Sequence, residues 1–327
     1  MAHAGIIGIG SYLPEKVLTN QDLEEIVETS DEWIRTRTGM RERHIAAPDQ
    51  SASDLAFIAA QAALETAGIA ADQLDAVVLA TVCPDYLFPS TACVLQDKLG
   101  AKKAGAFDLS AGCAGFASAL SVADAYIKSG MMENILVVGV EVLSRVTNWE
   151  DRNTCVLFGD GAGAAVVSAV DEEGLLADFI KADGSGGPFL IQPAGGSANP
   201  ATHETVDKKM HYVHMSGQDV FKSAVRAMVE GARAVLEQAG FQSEDIDLLV
   251  PHQANIRIIE AVRKRLDVPP ERAFVNIERQ ANTSAATIPI CLDEAYRSGR
   301  LNRGDLVCTT TFGAGFAWAA NLLRWII

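Results

Sequence analysis

Two stretches of this chain are gapless echoes of one another: LETAGIAADQLDAVV at 64–78 and LEQAGFQSEDIDLLV at 236–250. Leu, Glu, Ala, Gly, Asp and the final Val coincide. Each copy reads as the end of a helix, a glycine stop, a short turn and a buried apolar strand. A second echo follows in the same order, FGDGAGAAVV (158–167) and FGAGFAWAAN (312–321). Each has a β-like run on either side of a glycine cluster, which predicts a tight hairpin in each half. Repeated units in one order predict two related α/β halves about a pseudo-twofold axis, with the cleft between them as the natural place for a site. The echoes are not equally spaced, so loop lengths differ between the halves. The stretch 183–212, rich in Gly, Pro, Asn and Thr, predicts a long connection with the character of a flap before a helix over 217–240.

Three loops of unusual composition carry chemistry: DLSAGCAGF (108–116), VPHQANIR (250–257) and ANTSAATIP (281–289). Cys113 falls between a predicted strand ending near Leu109 and an Ala-rich predicted helix over 114–128. At a helix N-terminus, free amide groups and the helix dipole favour a thiolate. His252 follows the end of a buried strand, where an imidazole can project from a rigid support. Asn282 opens a turn that leads into a helix. A thiol supplies a nucleophile, and His with Asn supplies hydrogen bonds to a carbonyl without permanent charge. Taken singly, each has a plainer reading: a small core thiol, a structural histidine, a helix N-cap. Together they point to thioester acyl chemistry, although papain-like hydrolases use the same three residue types. The remaining cysteines, Cys83, Cys93, Cys155, Cys291 and Cys308, are expected in the core.

The 327 residues suffice for one large or two fused similar domains, and 49% hydrophobic with 21% charged residues fits an ordinary folded enzyme. A net charge of −15 argues against nucleic acid as a partner, since phosphate binding needs clustered cations. One local exception is Arg257, Arg263, Lys264 and Arg265, on a predicted helix after His252. It is either a solvated face or a landing patch for an acidic partner. Six cysteines without CxxC spacing indicate neither a disulfide framework nor a zinc site. The opening MAHAGIIGIGSYLP lacks a basic signal-peptide start, and no apolar run approaches the roughly 18 residues that span a bilayer. A cytoplasmic location and no membrane partner are the expectation. GDGAGA (159–164) loosely matches a dinucleotide fingerprint, but strand-like AAVVSAV follows where a helix is required.

At these residues the chain resembles the β-ketoacyl-acyl carrier protein synthase III family of thiolase-fold condensing enzymes. The resemblance runs from GIGSYLPEKVLTN to FGAGFAWAANLLRW and includes WIRTRTGMRERHIA (33–46), FGDGAGA, VPHQANIRI and NTSAATIP. It implies a thiolase-like α/β fold layered α-β-α-β-α, with duplicated halves 1–172 and 173–327. It further implies Cys113 as acyl-accepting nucleophile, and His252 with Asn282 as binders of the malonyl thioester carbonyl. Gly315 would support the oxyanion hole together with the Cys113 amide, and Phe312 would flank the departing carboxylate. Trp33, Arg37 and Arg152 match positions that hold the nucleotide end of coenzyme A. Arg257, with Lys264, matches a basic carrier-protein docking region, and Phe88 a position that limits the acyl pocket, often across a homodimer interface. The implied reaction is a decarboxylative Claisen condensation of a short acyl-CoA, most simply acetyl-CoA, with malonyl-acyl carrier protein, starting fatty acid synthesis. It needs no metal or organic cofactor. The chain departs from the commoner pattern in reading FGAGFAWA for FGGGF-x-WG, LSAGC for an alanine-rich approach, and Ala286-Thr287 for Ala-Ser.

Overall fold

The computed structural model describes residues 3–327. In chain order the first half contributes β1 (His3–Tyr12), α1 (Asp31–Thr38), α2 (Ala52–Ala67), β2 (Ala76–Ala80), α3 (Thr91–Leu99), β3 (Gly105–Leu109), α4 (Gly115–Lys128), β4 (Asn134–Glu141) and β5 (Gly161–Val170). The second half contributes β6 (Leu175–Ala182), α5 (Gly217–Ala239), β7 (Leu248–Pro251), α6 (Ile256–Arg265), α7 (Thr287–Arg297), β8 (Leu306–Gly313) and β9 (Ala317–Arg324).

The strands form a five-stranded sheet of order β1-β5-β4-β2-β3 and a four-stranded sheet of order β7-β8-β9-β6. The two match strand for strand. β2 runs parallel to β4 as β7 does to β8, while β4 and β5 are antiparallel, as are β8 and β9. β1 closes one sheet against β5, and β6 closes the other against β9, both antiparallel. Where β3 would recur in the second sheet there is a parallel bridge from Leu249 to Ala273.

The echoed sequences explain the match. α2 and α5 both end on a glycine in the left-handed region, Gly68 at φ 68° and Gly240 at φ 77°, where a side chain would be strained. A short turn then feeds β2 or β7, every residue of which is buried. Continuous apolar runs of this kind belong to strands covered on both faces. The inner cover is shared: Phe116, Leu120 and Ile127 of α4 and Ile288 and Leu292 of α7 pack between the two sheets. α2 and α3 cover the outer face of the first sheet, and α5 and α6 that of the second. The molecule is therefore layered α-β-α-β-α. Each fully buried Leu, Ile or Phe in these layers contributes about 1.5–3 kcal/mol relative to an exposed one.

The second echo gives different results in the two halves. FGAGF is a tight connection between β8 and β9, as expected. FGDGAGA is not a hairpin, because Gly161–Val170 is one strand and its partner β4 ends at Glu141. Its glycines serve close packing instead: a methyl on Gly163 would lie 2.6 Å from the Pro289 side chain of α7. The 183–212 connection holds a 3₁₀ stretch (Gly184–Phe189), one short helix (His203–Asp207) and a two-residue ladder between Leu190–Ile191 and His214–Met215. It is tied to the first half by the Val213 amide on the Val146 carbonyl (2.8 Å).

Candidate active site

The first-half contribution is a turn between β3 and α4. Gly112–Ala114 forms one 3₁₀ turn, and Cys113 sits at its centre, just before the helix. The FGAGF connection presses against it. A methyl on Gly313 would collide with the Cys113 amide nitrogen, and one on Gly112 would come within 2.6 Å of the Ala314 amide. The two loops therefore pack backbone against backbone at Cys113 and Ala314. Gly315, expected to support the oxyanion hole, lies at the exposed tip of the connection.

The second-half contribution comes from the ends of β7 and of the turn before α7. His252 is buried, and its amide donates to the Thr310 carbonyl of β8 (2.9 Å). Neither ring nitrogen meets a protein partner. Burial alone drives its pKa down to about 3, so the ring is neutral at physiological pH. Asn282 is held by its amide on the Leu157 carbonyl and its carbonyl on the Gly159 amide, both 3.0 Å. Its Oδ1 accepts from the Ser284 amide (2.9 Å), which leaves the Nδ2 donors for the cavity. The flanking backbone is strained: Ala281 and Ser284 have φ of 52° and 48°, rare for residues with a side chain.

Cys113, His252, Asn282 and Phe312 line one cavity of about 760 Å³. Phe312 is buried, its ring 5.0 Å from that of Phe316. The same cavity extends to Trp33, Arg37 and Arg257. The guanidinium carbons of Arg37 and Arg152 lie 4.5 and 4.6 Å from the Trp33 ring centroid, a cation–π cluster on a half-buried aromatic ring. Arg257 donates to the Thr36 carbonyl (2.8 Å), and Asn255 to the Arg37 carbonyl (3.0 Å), so α6 clamps the end of α1.

Several expectations need correction. The Cys113 thiol is not poised as a thiolate: burial pushes its pKa up to about 12, Glu141 raises it further, and only the Ser284 hydroxyl and its own amide oppose this. Desolvation here outweighs the helix N-terminus. The four cations do not form one face, because Arg263 is buried and bonds to Glu260 (2.6 Å) and to the Val268 carbonyl (2.9 Å). Lys264, with 70% of its side chain exposed, lies on α6 but does not line the cavity. Phe88 is 86% exposed, beside exposed Leu87 and Tyr86, and does not reach the cavity of its own chain. Cys93 is also exposed, on the face of α3 opposite buried Ala92 and Leu95, and Cys83 is half-buried. Cys155, Cys291 and Cys308 are buried. Glu141 and Ser284 went unnoticed in the sequence, although a lone acid closing the apolar run ILVVGVE was a usable signal. Among the described residues no three His, Cys, Asp or Glu side chains gather as a metal site, and no helix is long and apolar enough to cross a membrane.

Comparison with known proteins agrees over the whole chain. Residues 107–184 match the family described as 3-oxoacyl-(acyl-carrier-protein (ACP)) synthase III, and residues 236–325 its C-terminal counterpart. The β-ketoacyl-(acyl-carrier-protein) synthase III of Caldanaerobacter subterraneus subsp. tengcongensis is 55% identical over 323 residues, 98% of each chain. The crystal structure of 3-oxoacyl-(acyl-carrier-protein) synthase III from Aquifex aeolicus superposes with a TM-score of 0.91 at 49% identity, covering 98% of this chain and 100% of that one. The enzyme of that name from Pseudomonas aeruginosa gives 0.92 at 44% identity, covering 99% of both.

Proposed function

Because this chain belongs to the 3-oxoacyl-(acyl-carrier-protein) synthase III family, acyltransferase-type thiolase-fold condensing enzymes of fatty acid biosynthesis, we propose that it joins a short acyl-CoA, acetyl-CoA first of all, to malonyl-acyl carrier protein through an acyl-Cys113 intermediate. The observation that carries this reading is a single cavity lined both by the Cys113 thiol with the neutral donors His252 and Asn282 and by Trp33, Arg37 and Arg257.

In the first half-reaction the acyl-CoA lies along the cavity, its nucleotide end against Trp33, Arg37 and Arg152, its thioester at Cys113. The bond from Sγ to the acyl carbon forms, and the amides of Cys113 and Ala314 stabilise the oxyanion. Collapse expels coenzyme A. Malonyl-acyl carrier protein then places its thioester carbonyl between His252 and the Asn282 Nδ2 group. Loss of carbon dioxide puts negative charge on that oxygen. A neutral imidazole and an amide can each donate to it, and each such donor is typically worth about 10²–10³ in rate. The apolar ring of Phe312 favours neutral carbon dioxide over the carboxylate. The resulting carbanion attacks acyl-Cys113 and frees the thiolate as the β-ketoacyl product forms.

The exposed run Tyr86, Leu87 and Phe88 supports a homodimer in which this loop reaches the partner's acyl pocket, since apolar clusters of this kind mark interfaces. Arg257 and Lys264 on α6 would meet the acidic carrier protein beside the cavity mouth. No step calls for a metal or organic cofactor, and the chemistry suits the cytoplasm.

The test is intact-protein mass after acetyl-CoA, then after malonyl-acyl carrier protein. The expected result is an acetyl adduct on Cys113 that disappears as β-ketoacyl-carrier protein forms. An adduct that simply hydrolyses to acetate would indicate a hydrolase. One that appears only with longer or branched acyl-CoA would redirect the primer assignment. Reversible acetyl-CoA binding with no adduct would overturn the reading of Cys113.

A further inference from the structure

Arg43 is fully buried, second in size only to Trp325 among the fully buried side chains. It lies on the second strand of the Lys16–Thr19/Glu42–Ile45 hairpin. Its guanidinium donates to three oxygens: Nη1 to the Leu18 carbonyl (3.2 Å) and Asn20 Oδ1 (2.9 Å), Nη2 to the Val156 carbonyl (2.9 Å). None of the three is a carboxylate, and Nε has no partner. Burial draws the pKa down to about 10, so the group is still a cation at neutral pH. A buried cation facing only neutral acceptors is a poor source of stability. What sets it apart from an apolar side chain of the same size is the arrangement it enforces.

That arrangement joins the two pieces of the cation–π cluster from behind. Trp33 and Arg37 belong to α1, whereas Arg152 belongs to the turn over 151–158, as does Val156. On the α1 side Asn20 extends the contact. Its Oδ1 accepts from Arg43 while its Nδ2 donates to Asp31 Oδ1 and to the Met40 carbonyl, both at 2.9 Å. Asp31 opens α1 and Met40 lies just past its end, so one amide holds both ends of the helix. Arg43 and Asp31 are thus a cation and a carboxylate bridged by a polarised amide. At the front of the same seam, Arg152 Nη1 donates to the Glu28 carbonyl (3.0 Å).

We propose that Arg43 and Asn20 are positioning residues for coenzyme A, setting the spacing of Trp33 and Arg152 so that the nucleotide end of the acyl-CoA is gripped. This rests on the reading of Trp33, Arg37 and Arg152 as the nucleotide site. Neither Arg43 nor Asn20 lines the cavity, so both act through Val156 and α1, which do. A guanidinium that drifts beyond about 6 Å from a ring centroid loses its attraction, and Arg37 and Arg152 stand at 4.5 and 4.6 Å. The thioester end depends on other elements, with Cys113 on the turn before α4 and His252 just past β7. Disturbing Arg43 or Asn20 therefore weakens the hold on the nucleotide and spares the chemistry at Cys113.

The test compares second-order rate constants for acetylation of Cys113, read by intact-protein mass, with acetyl-CoA and with acetyl-pantetheine, which carries the same thioester without the nucleotide. The wild type should favour acetyl-CoA. Arg43→Met puts an apolar side chain in place of the guanidinium, and Asn20→Asp keeps the acceptor for Arg43 but sets a carboxylate against Asp31. Both should lower the acetyl-CoA constant about 10-fold, the scale of a lost cation–π contact, and leave the acetyl-pantetheine constant within about twofold of wild type. Calorimetric binding of coenzyme A should weaken about 10-fold alongside, so the comparison stands even where no adduct forms. An undiminished preference for acetyl-CoA overturns the proposal, as does an equal loss with both substrates, which marks a general defect of the cavity. Asn20→Asp gives Arg43 a direct counter-ion and decides the matter if Arg43→Met does not fold. A wild type that acetylates equally with both substrates defeats the nucleotide-site reading, and the proposal with it.

Discussion

The two ends of the donor-lined part of the cavity are governed by one physical agent with opposite consequences. At the His252 end burial removes charge, and that favours the chemistry there, because a neutral ring with no protein partner on either nitrogen can donate to a developing enolate. At the Cys113 end the same desolvation holds the thiol in its unreactive protonated form. Near this second end, Ser284 and Glu141 share a hydrogen bond (3.0 Å), and the buried Glu141 adds to the rise in the thiol pKa.

The largest effect that would break this division is at Cys113. Cys113→Ala should abolish acyl transfer from acetyl-CoA yet retain release of carbon dioxide from malonyl-acyl carrier protein. Residual condensation in that variant would remove the thiol from the mechanism. His252→Ala should do the converse, lowering carbon dioxide release about 10²–10³-fold while the acetyl adduct still forms. Equal loss in both half-reactions would mean that the two ends are not separable.

Smaller effects sharpen the contrast. Gly313→Ala drives a methyl into the Cys113 amide and should cost about 1–3 kcal/mol by thermal or denaturant unfolding, with acylation more impaired than decarboxylation. Unchanged stability would show that the connection relaxes freely. In pH titrations of stability, His252 is depressed from 6.5 to about 3 on folding, so its contribution is complete above 6.5 and is lost as pH falls toward 3. Glu141 is raised from 4.5 to about 7, so the folded state binds the extra proton and its contribution is lost as pH rises from 4.5 to 7. His252→Gln should flatten the acid limb and Glu141→Gln the neutral one, and matching slopes in both variants would contradict this assignment. Least of all, Lys264→Glu should raise KM for the carrier protein a few-fold at low salt, an effect that fades as salt screens it. Arg257→Glu should act on acetyl-CoA as well, because Arg257 also clamps the end of α1 at Thr36.

Much of the architecture was legible because it was written twice. The glycine stops at Gly68 and Gly240 and the apolar runs after them fall where the echo places them, and the match extends to strand direction in both sheets. The glycine echo misled in one half because closely spaced glycines signal proximity without naming the neighbour. In FGAGF the neighbour is the Cys113 turn, and in FGDGAGA it is Pro289 of α7. Helical phase, not cysteine chemistry, put Cys93 outside: it sits opposite the buried positions Ala92 and Leu95.

The sequence by itself determined the duplicated α/β fold, the family, and the thiol, imidazole and amide that converge on one cavity. Periodicity, glycine stops and motif order are local properties of a chain, and they survive without coordinates. Only the tertiary structure decided the burial that shifts the thiol and the imidazole, the close approach of the FGAGF connection to the Cys113 turn, and the hydrogen bond between Ser284 and Glu141. These depend on burial and on contacts between residues as far apart as 141 and 284, and a pKa belongs to an environment that no short segment carries.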